Sequence, residues 1–359
     1  MSTEASKKKM TYVRLGSSGL KVSRLILGLM SYGNKEWNEW VLDEEEGIKH
    51  IKAAYDAGIQ TFDTANVYSN GESERILGKA IKQLNLPRDE IVVMTKVYNI
   101  VARSKGEFIR IDGGESTEGD ARGYVNQYGL SRKHIFESIK HSLERLQLDY
   151  VDVLQCHRFD YHTPIAETMQ ALHDVVKAGY ARYIGMSSCH AYQFHAMQNY
   201  AIANKLTPFI SMQNQHSLVY REEEREMMPT LKMFGVGMIP WSPLSQGILS
   251  RPYEATSLRG DTSRHVLSIQ FSGMWAKTKE DNKEVILRVE RIAKARGISM
   301  AQVAIAWSLS KDVISAPIIG TTKLSNLNDL LGVIDVKLTE EEIKQLEEPY
   351  VYQAIQGYA

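Results

Sequence analysis

The sequence predicts an α/β protein: a (β/α)8 TIM barrel with an N-terminal β-hairpin and long loops on its C-terminal face. Three observations point there. Short, mostly apolar runs alternate with amphipathic stretches of helical period along nearly the whole chain. Eight such runs can be counted after the hairpin, nearly all with a helix before the next. The 359 residues suit one barrel with enlarged loops. A doubly wound sheet is the competing arrangement.

TYVRLGSSGLKVSRL reads as two short strands around a Ser-Ser-Gly turn, covering one end of the molecule. LILGLM (25–30) is a buried strand. Residues 43–58 are helical: acids fill the first turn, Ile48, Ile51 and Tyr55 share a face, and Gly58 follows as a C-cap. TFDTA (61–65) is a strand, and 73–84 a helix with Ser73 as its N-cap. Strand 91–97, helix 131–147, strand 150–157 and helix 164–179 follow, the last opening on Pro164, where proline is tolerated. Then come strand 181–188, a helix from His190 to Lys205 and strand 209–216. Pro229 predicts that the next helix starts near Met228. Strand 236–243, a helix near 299–310, strand 316–320 and a helix from Ser325 complete the alternation.

Residues 98–130 and 244–280 break the rhythm, as does the tail from Pro349. The first two follow strands three and seven of the barrel, on the face where barrel enzymes place their sites, and are expected to be lids. The predicted organisation is a disordered tail (1–9), a single domain (10–348) and a C-terminal tail (349–359).

Composition narrows the function. The chain is 43% hydrophobic and 24% charged, with 43 basic and 43 acidic residues. Nothing in that balance favours nucleic acid or an anionic membrane as partner, although a local phosphate pocket remains open. The longest apolar runs are far below a membrane span. MSTEASKKKM has no apolar core of a secretory signal, and KKK is too brief to argue nuclear targeting. Cys156 and Cys189 form no CxxC pair, so neither zinc nor a disulfide framework is expected. The expected compartment is the cytoplasm, with a monomer and a dimer both open.

The informative pattern is where polar residues fall. Asp63, Lys96 and His157 sit at or near the C-terminal ends of predicted strands, and Tyr68 lies just beyond one. On a barrel those ends share a face. Taken singly, Asp63 could cap a turn and His157 could be structural, but a lysine closing a buried strand needs a partner. A tyrosine ordinarily titrates near about 10, too high for efficient acid/base work near neutrality. A neighbouring lysine cation favours the phenolate, an aspartate keeps the lysine charged, and a histidine can hold a carbonyl oxygen. Such a set can protonate a carbonyl oxygen while a hydride from a nicotinamide or flavin reaches its carbon. The same residues also allow a Schiff-base aldolase with Lys96 as nucleophile.

FDTANVYSNGESERILGKAI, VVMTKV, DYVDVLQCH, RYIGMSS, MQNQHS, IPWSPLSQGIL and PIIGTTKLSNL together resemble the aldo-keto reductase superfamily, from about Tyr12 to Glu348. The chain is most similar to the branch of fungal aryl-alcohol dehydrogenases and potassium-channel β subunits. The resemblance implies a catalytic tetrad of Asp63, Tyr68, Lys96 and His157, with Tyr68 as general acid in reduction. It implies NADPH/NADP+ bound without a GxGxxG loop. Ser187 and Gln213 would hold the carboxamide, and Ser188 stands where the family has Asn. Trp241 would stack on the nicotinamide. Ser242, Leu244 and Gly247 would cradle the pyrophosphate. Gly320, Thr322, Lys323 and Asn326 would meet the 2′-phosphate end, with Arg264 as a further phosphate ligand. Leu330 replaces an adenine-contacting Asn. The implied reaction is reduction of aldehydes, or of ketones, to alcohols on a small-molecule carbonyl substrate. Tyr32, Trp37, Tyr98, Phe108 and Tyr128 are candidate pocket walls and favour aromatic or bulky apolar substrates. The alternative is a regulatory, cofactor-binding subunit of the channel β kind.

Overall fold

The computed structural model describes residues 10–255, 279–355 and 357–358. A two-stranded antiparallel hairpin comes first, β1 (Tyr12–Arg14) and β2 (Lys21–Ser23), with Val13 opposite Val22. Eight parallel strands follow: β3 (Ile26–Gly28), β4 (Thr61–Asp63), β5 (Val92–Val97), β6 (Val151–Cys156), β7 (Ala181–Ser187), β8 (Phe209–Gln213), β9 (Gly237–Met238) and β10 (Ile318–Ile319). Their spatial order is β10-β3-β4-β5-β6-β7-β8-β9. Backbone hydrogen bonds close the ring between its ends. Ser315 N donates to Met238 O at 2.8 Å, Met238 N to Val313 O at 3.0 Å and Ile318 N to Pro240 O at 2.9 Å. The predicted barrel with its hairpin is the observed fold.

The strands are buried on both faces, which is why they are short apolar runs without strict alternation. The hairpin closes the end opposite the strand C-termini. Leu15 and Val22 pack against the inward-facing Ile26, Val92, Met94, Val153, Ile239 and Ile318. Each fully buried aliphatic side chain there contributes about 1.5–3 kcal/mol.

The helices are α1 (Glu44–Asp56), α2 (Glu72–Gln83), α3 (Thr117–Ala121), α4 (Arg132–Leu146), α5 (Ile165–Lys177), α6 (Ala191–Ala203), α7 (Met227–Phe234), α8 (Lys283–Arg296), α9 (Met300–Leu309), α10 (Leu324–Leu331) and α11 (Glu340–Glu347). Five differ from expectation, α3 and α11 simply as additions. Gly71, not Ser73, caps α2; the Ser73 hydroxyl lies inside the first turn, donates to Leu29 O at 2.8 Å and meets Thr64 Oγ1 at 2.8 Å. Pro164 is the N-cap of α5 rather than its first residue. Helix α8 is an addition: Val285, Ile286, Val289, Ile292 and Ala293 form a buried stripe of helical period, which a strand-centred reading passes over.

Segment 98–130 is packed, with Ile100, Ala102, Ile109, Ile111, Tyr124 and Leu130 in the main core and α3 within it. Of the second interruption, residues 256–278, including Arg264, lie outside the described residues. Beyond α11 the chain stays bound: Tyr350 Oη donates to the Glu222 carboxylate at 2.5 Å, and Gln353 N to the same oxygen at 3.1 Å.

Candidate active site

Asp63 ends β4 and Lys96 sits near the end of β5, the neighbouring strand, so the parallel ladder brings their side chains to one end of the barrel. Lys96 Nζ donates to Asp63 Oδ2 at 2.6 Å, to Thr64 O at 2.9 Å and to Tyr68 Oη at 3.3 Å. Three donors thus meet three acceptors, and the ammonium is sealed from solvent. Burial opposes its charge, but the Asp63 carboxylate and Tyr68 outweigh it and raise the lysine's pKa.

The other Asp63 oxygen accepts from Gln155 Nε2 and Gln213 Nε2, both at 2.9 Å. Gln213 Nε2 also donates to Gln155 Oε1 at 2.9 Å. Gln155 was not among the residues singled out by sequence. It lies two before His157 on the same strand face, and that period-two spacing is the signal that would have found it.

Tyr68 and His157 meet edge to face, ring centroids 5.8 Å apart. Burial, then the Arg158 and Lys96 cations, hold the His157 pKa well below its ordinary value, so the ring is neutral. Asn99 Nδ2 donates to His157 Nδ1 at 3.4 Å, which leaves Nε2 carrying the proton.

A left-handed turn follows Tyr68. Ser69 (φ 48°), Asn70 (φ 51°) and Gly71 (φ 90°) all have positive φ. At Gly71 a Cβ would fall 2.5 Å from Arg145 Cδ, so only glycine fits. The Asn70 side chain holds segment 98–130: Nδ2 donates to Ser104 O at 2.9 Å, Lys105 O at 3.3 Å and Glu107 O at 2.7 Å, and Oδ1 accepts from Ala102 N at 3.0 Å. Trp37, Trp40 and Val41 pack with Met30 and Tyr68 and wall one side. Tyr32 is no wall: it is fully buried against His50 of α1. Tyr128 is tied within its own segment, donating to Asp120 at 2.8 Å, and Phe108 is half-buried.

On β7 and β8, Ser187 Oγ donates to Gln213 O at 2.7 Å. Ser188 has φ 49°; its N donates to Asn214 Oδ1 at 2.7 Å and its Oγ accepts from Trp241 Nε1 at 3.2 Å. Asn214 Nδ2 donates in turn to Glu223 Oε2 at 2.6 Å and Tyr358 Oη at 2.8 Å. Tyr358 Oη donates to Glu223 as well. Burial raises the Glu223 carboxyl to about 7, despite these donors.

The fit of a nicotinamide dinucleotide can be judged from these groups. Gln213 has its amide nitrogen committed and its carbonyl oxygen available, and Trp241 is half-buried beside Ser187 and Ser188. After β9, Ser242 (φ 52°), Ser245 (φ 46°), Gln246 (φ 54°) and Gly247 (φ 96°) are left-handed and coil the loop tightly around Leu244; Ser245 N donates to Ser242 O and Gly247 N to Leu244 O, both at 2.9 Å. A Cβ on Gly247 would fall 2.9 Å from an Arg251 guanidinium nitrogen, so a cation overhangs that loop. At β10, Gly320, Lys323 and Asn326 are exposed and Thr322 half-buried. Leu330 is buried in the core. The Gln213 carbonyl, the Trp241 face and the cation over the 242–247 loop suit a nicotinamide dinucleotide. No hydrogen bond among the described residues joins the 320–326 turn to the tetrad.

An eight-stranded parallel barrel with a buried Asp-Lys-Tyr chain and a neutral histidine at the strand ends defines a class of oxidoreductase. The family comparison places the chain within it: residues 24–350 match the aldo/keto reductase family, and the chain belongs to that family. It is similar to the versiconal hemiacetal acetate reductase of Aspergillus parasiticus, 50% identical over 347 residues, 96% of this chain and 98% of that protein. A provisionally assigned aryl-alcohol dehydrogenase of Schizosaccharomyces pombe is 49% identical over 354 residues, covering 96% and 97%. An aldo-keto reductase of Alternaria alternata is 45% identical over 354 residues, covering 97% and 94%. No described helix is long and apolar enough to cross a membrane.

Proposed function

We propose that the protein reduces aldehydes, and some ketones, to alcohols with NADPH, Tyr68 acting as general acid. The observation that carries this is the buried ammonium of Lys96, bonded at once to Asp63 and to the Tyr68 hydroxyl. When bound, the nicotinamide supplies the hydride. Tyr68 donates its proton to the substrate oxygen, and Lys96 stabilises the phenolate that remains. Asp63 keeps Lys96 charged and aimed. His157 Nε2–H orients the carbonyl oxygen beside Tyr68. Trp241 would offer a flat face to the nicotinamide ring, and Ser187 and Gln213 polar groups to its carboxamide. Lys323, with Thr322 near it, would favour a 2′-phosphate and hence NADPH over NADH.

The same ammonium argues against a Schiff-base aldolase. A nucleophilic lysine needs a lowered pKa, and that of Lys96 is raised. The indoles of Trp37 and Trp40, packed beside Tyr68, and the relatives' names support aromatic or bulky carbonyl substrates. The test is to mix the purified protein with NADPH and a panel of aromatic and aliphatic aldehydes, following nicotinamide absorbance. Oxidation of NADPH by the native chain but not by Tyr68→Phe is expected. No turnover of any aldehyde above that control would refute the proposal.

A further inference from the structure

Two polar groups beside the tetrad have no role in proton transfer. Tyr98 lies two residues past Lys96; it is 2% exposed and its hydroxyl has no hydrogen-bond partner among the described residues. A buried hydroxyl left without a partner costs about 1–3 kcal/mol. Arg158 follows His157 directly and is half-buried. Among the described residues its guanidinium makes one hydrogen bond, from Nη1 to His157 O at 2.7 Å. Tyr68, Tyr98 and Tyr358 act on its charge, that charge acts on His157, and no carboxylate among the described residues pairs with it. The nearby carboxylate, Asp160, is already saturated. It accepts from Leu130 N at 2.7 Å, His162 N at 2.9 Å, Thr163 N at 3.2 Å and Thr163 Oγ1 at 2.7 Å.

A half-buried guanidinium without an acid is only partly compensated, and among the described residues four of its five N–H donors have no protein acceptor. The planar fork matches a carboxylate in two parallel bonds. The Tyr98 hydroxyl can add a third donor. Both residues adjoin His157: Arg158 follows it and bonds its carbonyl, and Tyr98 follows Val97, whose carbonyl accepts from His157 N at 3.0 Å; the His157 ring in turn meets that of Tyr68, where a substrate carbonyl would sit.

We propose that Arg158 and Tyr98 form an anion-binding site beside Tyr68 that selects carbonyl substrates bearing a carboxylate. The inference about substrate rests on Tyr68 being the proton donor proposed above; the anion site itself does not. Its test therefore starts with binding. Calorimetric titration with benzoate and with benzamide, at saturating NADP+ and without it, should show benzoate bound about ten-fold more tightly. Arg158→Gln should erase the difference, Arg158→Lys should retain part of it, and Tyr98→Phe should weaken benzoate alone. Equal affinity for the two ligands in the native protein would overturn the site. Turnover then tests selection, with 4-carboxybenzaldehyde against its methyl ester. The native protein should prefer the acid in kcat/KM, and Arg158→Gln should lose the acid while keeping the ester. If Arg158→Gln slows both aldehydes equally, Arg158 only supports His157 and the proposal fails. Should the variant not fold, the acid–ester and benzoate–benzamide ratios of the native chain still decide. Arg158-dependent benzoate binding without any aldehyde turnover would uphold the site and refute the carbonyl reductase instead.

Discussion

Asp63 and Lys96 are joined by a 2.6 Å ion pair with both side chains closed to water, and the same ammonium reaches the Tyr68 hydroxyl at 3.3 Å. The pair belongs to neighbouring parallel strands, so its geometry is set by the barrel rather than by a loop. Removing one partner leaves the other buried and uncompensated.

Lys96→Met should therefore cost roughly 3–5 kcal/mol of stability, measured by urea unfolding. Asp63→Asn preserves the shape and the Gln155 and Gln213 contacts only in part. It should unfold earlier than the native protein and lose activity, because Lys96 is then less firmly charged and aimed. A variant of either kind with native stability and native rates would remove the pair from both roles.

Tyr68→Phe takes away only a hydroxyl. Turnover should fall by about 10²–10⁴-fold, the usual contribution of a positioned acid. Cofactor affinity, read by tryptophan fluorescence, should stay as it was. A parallel loss of cofactor binding would place Tyr68 in the dinucleotide site instead.

Asn70 links the turn after Tyr68 to backbone groups of residues 102–107. Asn70→Ala loses all four hydrogen bonds and places a less tolerant residue at positive φ. Asn70→Gly loses the bonds but relieves the strain. Both should raise KM, because the segment carrying Phe108 is released, while Tyr68 keeps its lysine. The alanine variant should also unfold at lower urea than the glycine one. A fall in kcat with KM unchanged would show that the turn acts on Tyr68 directly.

Glu223 gives a pH prediction. Its carboxyl is raised by burial to about 7 from an ordinary value of 4.5. The folded state thus binds a proton that the unfolded state releases earlier. The stability this confers is complete below about 4.5 and is lost as pH rises through about 7. Glu223→Gln keeps the shape without the titration, so it should flatten unfolding free energy across that window. At pH 8 it should gain up to about 3 kcal/mol relative to the native protein. Parallel pH profiles for the two proteins would refute the assignment.

The barrel and the tetrad were legible because both follow from strand period. Asp63, Lys96 and His157 stand out as polar residues closing apolar runs, and such runs must end at one face. Gln155 obeys the same rule yet was passed over, since a glutamine within a strand carries no chemistry by itself. Asn70 and Asn214 could not be read at all. Each acts through partners 32–37 residues away or as far as Tyr358, and no local pattern encodes that distance. Tyr32 misled for a related reason: an aromatic after a strand can face the helix layer as easily as the mouth.

The barrel also has a seam. β9 and β10 contain two residues each, and the ring is completed there by the amides of Met238, Ser315 and Ile318. β5 and β6, by contrast, pair over four registered positions, from Met94 with Val153 to Val97 with Cys156. In deuterated water the seam amides should exchange sooner than those of β5 and β6, because short ladders open at lower free energy. Trp241 lies just beyond one lip and the Gly320–Lys323 turn beyond the other. A dinucleotide spanning them would act as a staple across the seam, so adding it should slow deuterium uptake at Met238, Ser315 and Ile318 before any other strand responds.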